Sequence, residues 1–522
     1  MAMPLPRLER RGNASQLIVD GAPYLALGGE LHNSSSSSPA YMEHVWEHLA
    51  AVGLRTVVSP VTWQLIEPEE GVFDFSTLDA QLLAAREHGI RIVLLWFGAY
   101  KNAESSYAPS WVRRDESRFP RATRDPERLI TGRFTLDGPI LSAFCQELVA
   151  ADARAFSAVM AHLREEDPGH TVITVQVQNE VGLLGDSRDR SSLAQAAWES
   201  PVPPELIQHL AGLDAADGAS HAADLWRANG AVREGTWERV FGASPEAEEI
   251  FMAFGFARYV ERVAAAGRAE KDLPLYANAW LGPQPNATVP GAYPSGGPVA
   301  RMADVWRAGA PTLDLLAPDI YIDDFAGTLA SYAVRGNPIF VPEARPDAAL
   351  AFRAVGSFDA VCFSPFGIED LAADHEVFGA FAALGSASAQ ILDAQSRGAI
   401  HGFRLGLGAS ETVSLGGYEV SLNGPFDTRG MFGAGTGSAA EELEAHGVLL
   451  QLAEDEFLAI AKGASLRFAR PDAAVELDLV QEGEYVDGAW VPGRTLNGDE
   501  RYFMFPSHGV RTVKICLLRR AA

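Results

Sequence analysis

Cysteine and lysine are both scarce in this chain of 522 residues. The three cysteines, Cys145, Cys362 and Cys516, lie far apart and form no C-x-x-C pair, so neither a disulfide framework nor a structural zinc site is expected. Lysine and arginine together number 42 against 68 acidic residues, which gives a net charge of −26. A surface this acidic argues against nucleic acid as a partner, because phosphate binding requires a basic face.

Long hydrophobic runs are also lacking. No stretch approaches the roughly 18 apolar residues of a membrane-spanning helix, so no membrane association is expected. The N-terminal segment carries Arg7, Arg10 and Arg11 with no apolar segment after them, which does not match a signal peptide. The expected location is therefore the cytoplasm, or the periplasm or cell exterior if a leader has been removed.

What the chain does contain, over residues 24–397, is an alternation of short apolar runs with longer amphipathic ones. Runs such as Ile92–Leu95 are continuously apolar, as is typical of strands buried on both faces. Eight strand-then-helix units predict a (β/α)₈ TIM barrel, and the lack of a G-x-G-x-x-G motif after the first strand disfavours a doubly wound sheet. The predicted strands are Tyr24–Glu30, Leu54–Val58, Ile90–Phe97, Thr171–Val177, Leu275–Asn278, Leu313–Tyr321, Pro338–Glu343 and Ala360–Phe363.

The barrel domain is predicted to cover residues 1–398, with an insertion at about 185–245 that follows the fourth strand. An insertion there would lie over the C-terminal face of the barrel, where active sites are found. The predicted helices include Tyr41–Ala51, Leu78–His88, Phe144–Leu163, Ile250–Ala265 and Leu371–Gln395.

Beyond Gly398 the pattern changes to short strands separated by turn signals such as Asp487-Gly488. This predicts a smaller antiparallel β-sandwich domain over residues 399–522. The predicted strands are Phe403–Leu407, Gly417–Leu422, Val448–Leu452, Phe457–Ile460, Ser465–Phe468, Val475–Val480 and Val510–Leu518.

Two glutamates stand where chemistry is expected in such a barrel, at strand C-termini. The fourth strand leads into Asn179-Glu180, and the seventh ends at Glu343. Two carboxylates brought to one rim by separate strands suit glycoside hydrolysis, in which one protonates the leaving oxygen and the other attacks carbon or activates water. The alternative is that each glutamate only caps a helix or pairs with an arginine.

Other strand ends carry further polar and aromatic side chains. The first ends at Glu30, and the third is followed by Tyr100, Asn102 and Glu104. Carboxylates and amides bind sugar hydroxyls while aromatic faces stack on sugar rings, so this rim predicts a sugar pocket. Glu67, Glu69 and Glu70 are expected to form a solvated turn. The cluster of Asp319, Asp323 and Asp324 raises the alternative of a metal site, but no histidine or Ca²⁺-ligand spacing accompanies it.

With these segments in place, the sequence resembles the clan A glycoside hydrolases, and within them a divergent bacterial branch of the family 35 β-galactosidases. The resemblance rests on Gly-Gly-Glu-Leu-His at 28–32, Glu-Pro…Gly…Phe-Asp-Phe at 67–75, Tyr-x-Asn-Ala-Glu at 100–104, Asn179-Glu180 and Glu343. This sequence departs from the family at three places. Pro60-Val61-Thr62 stand where a tyrosine usually precedes Trp63, and Gln64 stands where an asparagine usually follows it. The eighth strand carries Phe363 and Phe366 where a tyrosine is common.

The resemblance implies roles for these residues. Glu180 would be the acid/base and Glu343 the nucleophile, with Asn179 holding the sugar 2-hydroxyl. Tyr321 would hydrogen-bond the nucleophile. The remaining predicted substrate-binding residues are Glu30, Tyr100, Asn102 and Glu104.

The implied activity is that of a retaining exo-β-galactosidase that needs no cofactor or metal. Its partner would be an oligosaccharide or a polysaccharide side chain, and a homo-oligomer is one expectation because added sandwich domains often pack against a neighbouring subunit. Two alternatives stay open. The barrel could instead hydrolyse β-glucosides, β-mannosides or internal polysaccharide bonds, or it could be a catalytically inactive carbohydrate-binding barrel.

Overall fold

The barrel consists of eight parallel strands that close in chain order in the computed structural model, which describes residues 3–127, 130, 138–214, 218–425 and 444–521. Every predicted barrel strand is present, so the predicted (β/α)₈ class is confirmed. The strands are β4 (Ala26–Glu30), β5 (Thr56–Thr62), β6 (Arg91–Phe97), β7 (Val172–Val177), β8 (Leu275–Trp280), β9 (Leu315–Ile320), β10 (Phe340–Ala344) and β11 (Cys362–Pro365).

A three-stranded antiparallel sheet closes the N-terminal end of the barrel, a feature that the sequence did not predict. It consists of β1 (Arg7–Arg11), β2 (Ala14–Val19) and β3 (Ala22–Tyr24). Leu17 and Val19 of β2 join the apolar side chains inside the barrel, among them Val93 and Phe340. With this end filled by apolar side chains, the C-terminal rim is the face left for chemistry.

The helices around the barrel begin and end where local signals place them. Ser38 caps the first by accepting a hydrogen bond from the Tyr41 amide, and Gly89 ends another in the left-handed conformation. They are α1 (Pro39–Ala51), α2 (Trp63–Ile66), α3 (Ser76–His88), α4 (Ser110–Arg114), α5 (Gln146–Glu166), α10 (Pro245–Glu270), α11 (Ala303–Gly309), α12 (Phe325–Tyr332), α13 (Ala348–Ser357), α14 (Glu376–Ser386) and α15 (Ser388–Arg397).

The single helix predicted over Leu371–Gln395 is wrong. The chain instead forms α14 and α15, with a bend of 70° between them. Gly385 and Ser386 end α14, and both residue types have low helix propensity. Within the described ranges, no single helix has both the length and the apolar composition to span a membrane, although α14 and α15 together meet those limits as a bent pair.

The insertion after β7 is helical where the structure describes it. It contains α6 (Ser192–Glu199), α7 (Pro204–Gly212), α8 (His221–Ala228) and α9 (Trp237–Phe241). Its tryptophans are buried, and Trp198 and Trp237 pack edge-on against Phe251 of α10. The insertion is therefore anchored on the outside of the barrel by aromatic packing.

Two antiparallel sheets form the C-terminal part of the chain. The six-stranded sheet has the order β12-β15-β16-β20-β18-β19, the three-stranded sheet has the order β13-β14-β17, and both contribute to one apolar core, as the sandwich prediction requires. The strands are β12 (Ile400–Gly406), β13 (Ser410–Leu415), β14 (Tyr418–Asn423), β15 (Glu444–Ala453), β16 (Glu456–Lys462), β17 (Ser465–Ala469), β18 (Ala473–Val486), β19 (Ala489–Thr495) and β20 (Arg511–Ala521).

The sandwich packs closely against the barrel at one pair of glycines. A Cβ atom on Gly356 of α13 would lie 2.6 Å from the Cα of Gly402 on β12, so no other residue fits there without a shift of backbone. Ser357 and Arg353 both donate hydrogen bonds to the Gly402 carbonyl. These contacts join the two units through backbone as well as side chains.

Candidate active site

The C-terminal rim of the barrel gathers acidic side chains from separate strands. Glu30 is the last residue of β4, Glu180 lies three residues beyond β7, and Glu343 lies on β10. The charge of Glu343 raises the pKa of Glu30, of Glu180 and of Asp319 on β9, so the four carboxyl groups lie close together. The structure therefore brings together the two glutamates that the sequence predicts as the catalytic pair.

The backbone that presents Glu180 is strained. Gln178 and Glu180 have φ values of 66° and 45°, in the left-handed region that residues other than glycine rarely adopt. A neighbouring strand and a neighbouring turn hold this conformation: the Glu180 amide donates to Asn278 Oδ1 of β8 at 2.9 Å, and the Glu180 carbonyl accepts from the Ala103 amide at 3.1 Å. Strain maintained in this way is typical of residues whose position serves a function.

A tight turn at Lys101–Glu104 supports the same loop. The amides and carbonyls of Lys101 and Glu104 are hydrogen-bonded to each other, and both central residues, Asn102 and Ala103, have positive φ. This is the geometry of a type I′ turn, which asparagine tolerates and alanine does not favour. The turn places Asn102 beside the Glu180 loop and buries the Lys101 ammonium, which lies 5.0 Å from the centre of the Phe97 ring.

Beneath the rim, one buried carboxylate ties the ends of β6 and β7 together. Asp152 of α5 accepts hydrogen bonds of 2.8–3.0 Å from Trp96 Nε1, the Ala99 amide, Gln178 Nε2 and the Tyr259 hydroxyl. Burial raises the pKa of Asp152, whereas these hydrogen bonds lower it. Gly98 leaves the room that this cluster needs, since a Cβ there would lie within 2.6 Å of three of its members.

We expect Asp152→Ala to destabilise the protein by on the order of 3 kcal/mol or more, because it leaves several buried donors without an acceptor. Urea denaturation followed by circular dichroism measures the effect. The matched control is Glu147→Ala on the same helix, where the side chain is exposed and pairs with Arg118, and a change within about 0.5 kcal/mol is expected. Equal stabilities of the two variants would contradict the role given to Asp152.

The protonation of the rim follows from its burial. Burial raises the pKa of Glu180 to about 7, and the charge of Glu343 adds to this rise, whereas Lys101 and a hydrogen bond with Asp319 oppose it. Burial, again with the charge of Glu343, raises the pKa of Glu30 and of Asp319 well above the usual range. Near neutral pH, Glu180 therefore retains a substantial protonated fraction and can act as a proton donor.

Glu343 is held by a tyrosine. The Tyr321 hydroxyl, one residue beyond β9, donates a hydrogen bond of 2.5 Å to Glu343 Oε1, the contact that the sequence resemblance implies. Burial, followed by the charge of Glu343, raises the pKa of Tyr321, so the phenol stays protonated and continues to donate. This bond orients one Glu343 oxygen and leaves the other for a reacting atom.

Several buried polar atoms of the rim have no hydrogen-bond partner among the described residues. Both side-chain atoms of Asn179 are in this state, although the residue is only 1% exposed. The others at the rim are Glu30 Oε1, Asn102 Oδ1 and Asp319 Oδ1. Because unsatisfied buried polar groups are costly, atoms clustered in this way suit a ligand that carries many hydroxyls.

Of two further predicted substrate-binding residues, Tyr100 lies elsewhere than expected and Glu104 lies at the rim. The Tyr100 side chain is fully buried against Phe256 and Tyr259, and its hydroxyl donates to the Leu141 carbonyl, so it supports the loop from below and is not placed to bind sugar. Glu104 is half-buried, and its carboxylate accepts a hydrogen bond from the Gly138 amide at 3.2 Å. Glu104 is therefore at the rim, with one oxygen already engaged.

The solvated turn expected at Glu67, Glu69 and Glu70 is correct for the last two residues only. Glu67 is fully buried and accepts hydrogen bonds from Trp63 Nε1, the Gly71 amide and Arg154. Its burial fixes the chain after β5, because the carboxylate links three segments.

The three aspartates near Tyr321 have separate partners. Asp323 pairs with Arg345, and Asp324 caps α12, so only Asp319 belongs to the rim. Within the described ranges, no group of three or more histidine, cysteine or acidic residues is arranged to hold a metal ion.

Sequence reasoning did not identify Lys101, Asn278 or Asp319 as site residues. Lys101 directly precedes Asn102, and Asp319 lies two residues before Tyr321, so proximity to predicted residues was the available signal. Asn278, on β8, offered no signal of this kind.

The family comparison agrees with this site. The model for glycosyl hydrolases family 35 matches residues 16–129, which contain Glu30 and the Lys101–Glu104 turn. A β-galactosidase of Xanthomonas manihotis is 30% identical over 177 residues, which is 33% of this chain and 26% of that protein. The human β-galactosidase-1-like protein 3 is 34% identical over 110 residues, which is 20% of this chain and 16% of that protein.

Over residues 16–129 the chain is similar to the family 35 glycoside hydrolases. The resemblance inferred from sequence motifs is thereby confirmed. The aligned segments span about a quarter or less of these curated relatives. Glu180 and Glu343 lie outside the segment matched by the family model, so their assignment rests on the barrel geometry and the sequence resemblance.

Two further comparisons reach beyond the segment matched by the family 35 model. Residues 377–507, which include most of the sandwich, match a domain of unknown function (DUF5597). The crystal structure of a β-galactosidase from Bacillus circulans sp. alkalophilus superposes with a TM-score of 0.46 at 14% identity, covering 71% of this chain and 57% of that one. At that score the fold class rests on the closed barrel itself.

Proposed function

We propose that this protein is a retaining, exo-acting β-galactosidase that releases terminal non-reducing β-D-galactosyl residues by double displacement. The observation that carries the proposal is a buried acid beside a buried carboxylate on a barrel rim: Glu180, with a pKa of about 7, next to Glu343. This division into proton donor and nucleophile is what glycoside hydrolysis requires.

In the proposed first step, Glu180 donates its proton to the glycosidic oxygen while Glu343 attacks the anomeric carbon. The bond from carbon to the leaving oxygen breaks, and a covalent glycosyl-enzyme forms. Tyr321 holds the attacking carboxylate through its hydrogen bond. When Glu343 becomes a neutral ester, its negative charge no longer raises the pKa of Glu180. The pKa of Glu180 therefore falls, and Glu180 can act as a base in the second step.

In the second step, Glu180 removes a proton from water, which attacks the same carbon from the face that the leaving group occupied. Two inversions give net retention of configuration. The buried, unpartnered side-chain atoms of Asn179 and Asn102 support a role for both residues in binding sugar hydroxyls during both steps.

Action on a terminal sugar is supported by the enclosure of the rim. The side chains that would meet the sugar are nearly covered, with Glu30 2% exposed and Glu343 9% exposed. An endo-acting enzyme needs an open groove through which a polymer can pass, whereas a pocket encloses one terminal unit. Galactose is supported by the relatives in sequence, which are a β-galactosidase and a β-galactosidase-1-like protein. The proposed natural substrate is an oligosaccharide or a polysaccharide side chain.

A panel of nitrophenyl glycosides tests this function. We expect kcat/KM for the β-galactoside to exceed that for the β-glucoside and β-mannoside by at least about tenfold, equivalent to 1.4 kcal/mol of transition-state binding. Glu343→Gln, purified in the same way, is the control for contaminating host enzyme and should be inactive. Preference for another sugar would overturn the galactoside assignment but retain the clan, and complete lack of turnover would favour a binding barrel.

A further inference from the structure

Asp319 is a buried carboxyl group to which the proposed mechanism gives no task. It lies on β9, directly opposite Glu343 in the parallel pairing with β10, and it is 3% exposed. Burying a carboxyl group beside three others is costly unless the group is paired or protonated. Its presence therefore needs an explanation beyond packing.

Asp319 is linked to Glu180 in two ways. Asn278 donates to Asp319 Oδ2 at 2.6 Å and accepts the Glu180 amide at 2.9 Å, so the Asn278 side chain bridges the two residues. The carboxyl groups of Glu180 and Asp319 are also within hydrogen-bonding distance of each other. Backbone amide, Asn278, Asp319 and the Glu180 carboxyl group thus form a closed ring of contacts.

The direct contact requires a proton. Two ionised carboxylates are both acceptors and repel each other, whereas one shared proton converts the contact into a hydrogen bond. Asp319 Oδ1 receives no hydrogen bond from any donor among the described residues, and a proton shared with Glu180 would satisfy the pair.

The charges around the pair favour the same state. Among the charges that affect the pKa of Asp319 most, three are carboxyl groups and one is the ammonium of Lys101. Glu343 must be ionised to act as nucleophile. Nearby tyrosines remain neutral because burial raises their pKa. The titratable groups that face Asp319 are Glu30, Lys101, Glu180, Tyr276, Tyr321, Tyr332 and Glu343.

We propose that Asp319 is a positioning residue that shares one proton with Glu180 and keeps that proton available for the leaving oxygen. This inference rests on the proposed function. In the first step the shared proton moves to the glycosidic oxygen as the bond to carbon breaks, while Glu343 becomes a neutral ester. The negative charge thus passes from Glu343 to the Glu180–Asp319 pair, and water returns the proton to the pair in the second step.

Asp319→Asn tests the inference, because asparagine keeps the shape and can still accept the hydrogen bond from Asn278 but cannot share a titrating proton. The hydrogen bond with Asp319 lowers the pKa for the first proton lost from the wild-type pair, but loss of the last, shared proton leaves two adjacent carboxylates, which holds the second pKa high. In the variant, loss of the proton leaves one carboxylate beside an amide. The alkaline limb of kcat/KM, measured on an alkyl β-galactoside that needs the acid, should therefore move to lower pH by about one unit or more.

Asp323→Asn is the matched control, since that aspartate is exposed and pairs with Arg345, and its limb should stay in place. Asp319→Ser, which is smaller and also cannot titrate, should shift the limb in the same direction as Asp319→Asn. An unchanged limb in the folded Asp319 variants would overturn the shared proton while leaving the proposed function intact. A wild type that turns over no glycoside would overturn both.

Discussion

Glu343→Gly should lower kcat on a nitrophenyl β-galactoside by on the order of 10⁴-fold or more, because it removes the group that forms the covalent intermediate. The substitution also opens a space next to the anomeric carbon. Glu343 normally fills this space and accepts a hydrogen bond there from the Tyr321 hydroxyl. Sodium azide can enter this space as a small external nucleophile, so added azide should restore turnover. Steady-state rates with and without azide measure both effects.

Glu343→Gln is the control for this rescue. The glutamine fills the space of the glutamate and can still accept from Tyr321, so azide has no route to the carbon and activity should stay low. Rescue of both variants to the same extent, or of neither, would contradict the assignment of Glu343 as nucleophile.

Glu180→Ala should separate substrates by their leaving groups. For a dinitrophenyl galactoside, which departs without protonation, the first step should slow by about tenfold or less, whereas an alkyl galactoside should lose on the order of 10²–10⁴-fold in kcat/KM. Because no base then activates water, the glycosyl-enzyme should accumulate and give a burst of phenolate in stopped-flow measurements.

The comparison variant is Glu69→Ala, an exposed glutamate in the turn after β5, which should behave as the wild type on both substrates. Equal losses on activated and alkyl substrates in Glu180→Ala would contradict the role of Glu180 as the acid.

The barrel was predictable because its strands are buried on both faces. Such strands read as continuous apolar runs, and Ile92–Leu95 is one of them. The edge strand Arg7–Arg11 has no such run, and its side chains are exposed or half-buried, so the sheet that fills the barrel end gave no comparable signal. Gly385 and Ser386 have low helix propensity, but glycine and serine also occur inside helices. Their presence therefore did not predict the break between α14 and α15.

Glu180 and Glu343 were predictable as candidates because parallel strands deliver their C-terminal residues to one rim. The environment of each side chain was not predictable in the same way. Asn278 contacts both Glu180 and Asp319 because β8 lies between β7 and β9 in the barrel, and neither contact leaves a pattern in the sequence. Tyr100 is the opposite case. Its motif correctly places residues 100–104 near the rim, but the Tyr100 hydroxyl donates to the Leu141 carbonyl and does not face the site.

Glu67 was misread for a related reason. A glutamate next to Pro68, Glu69 and Glu70 has the composition of a solvated turn, whereas its burial depends on Trp63 Nε1 and on Arg154 from a distant helix. Local composition describes the chain around a residue, and burial of a charge is decided by partners that the fold supplies.

The most direct test of the account is the anomeric configuration of the azide products from the two glutamate variants, determined by proton NMR. In Glu343→Gly, azide attacks in place of the nucleophile and should give the α-galactosyl azide. In Glu180→Ala, azide attacks the covalent intermediate and should give the β-galactosyl azide, with net retention. Products of opposite configuration, assigned in this order, are the predicted result; identical configurations, or the reverse order, would contradict the roles assigned to Glu180 and Glu343.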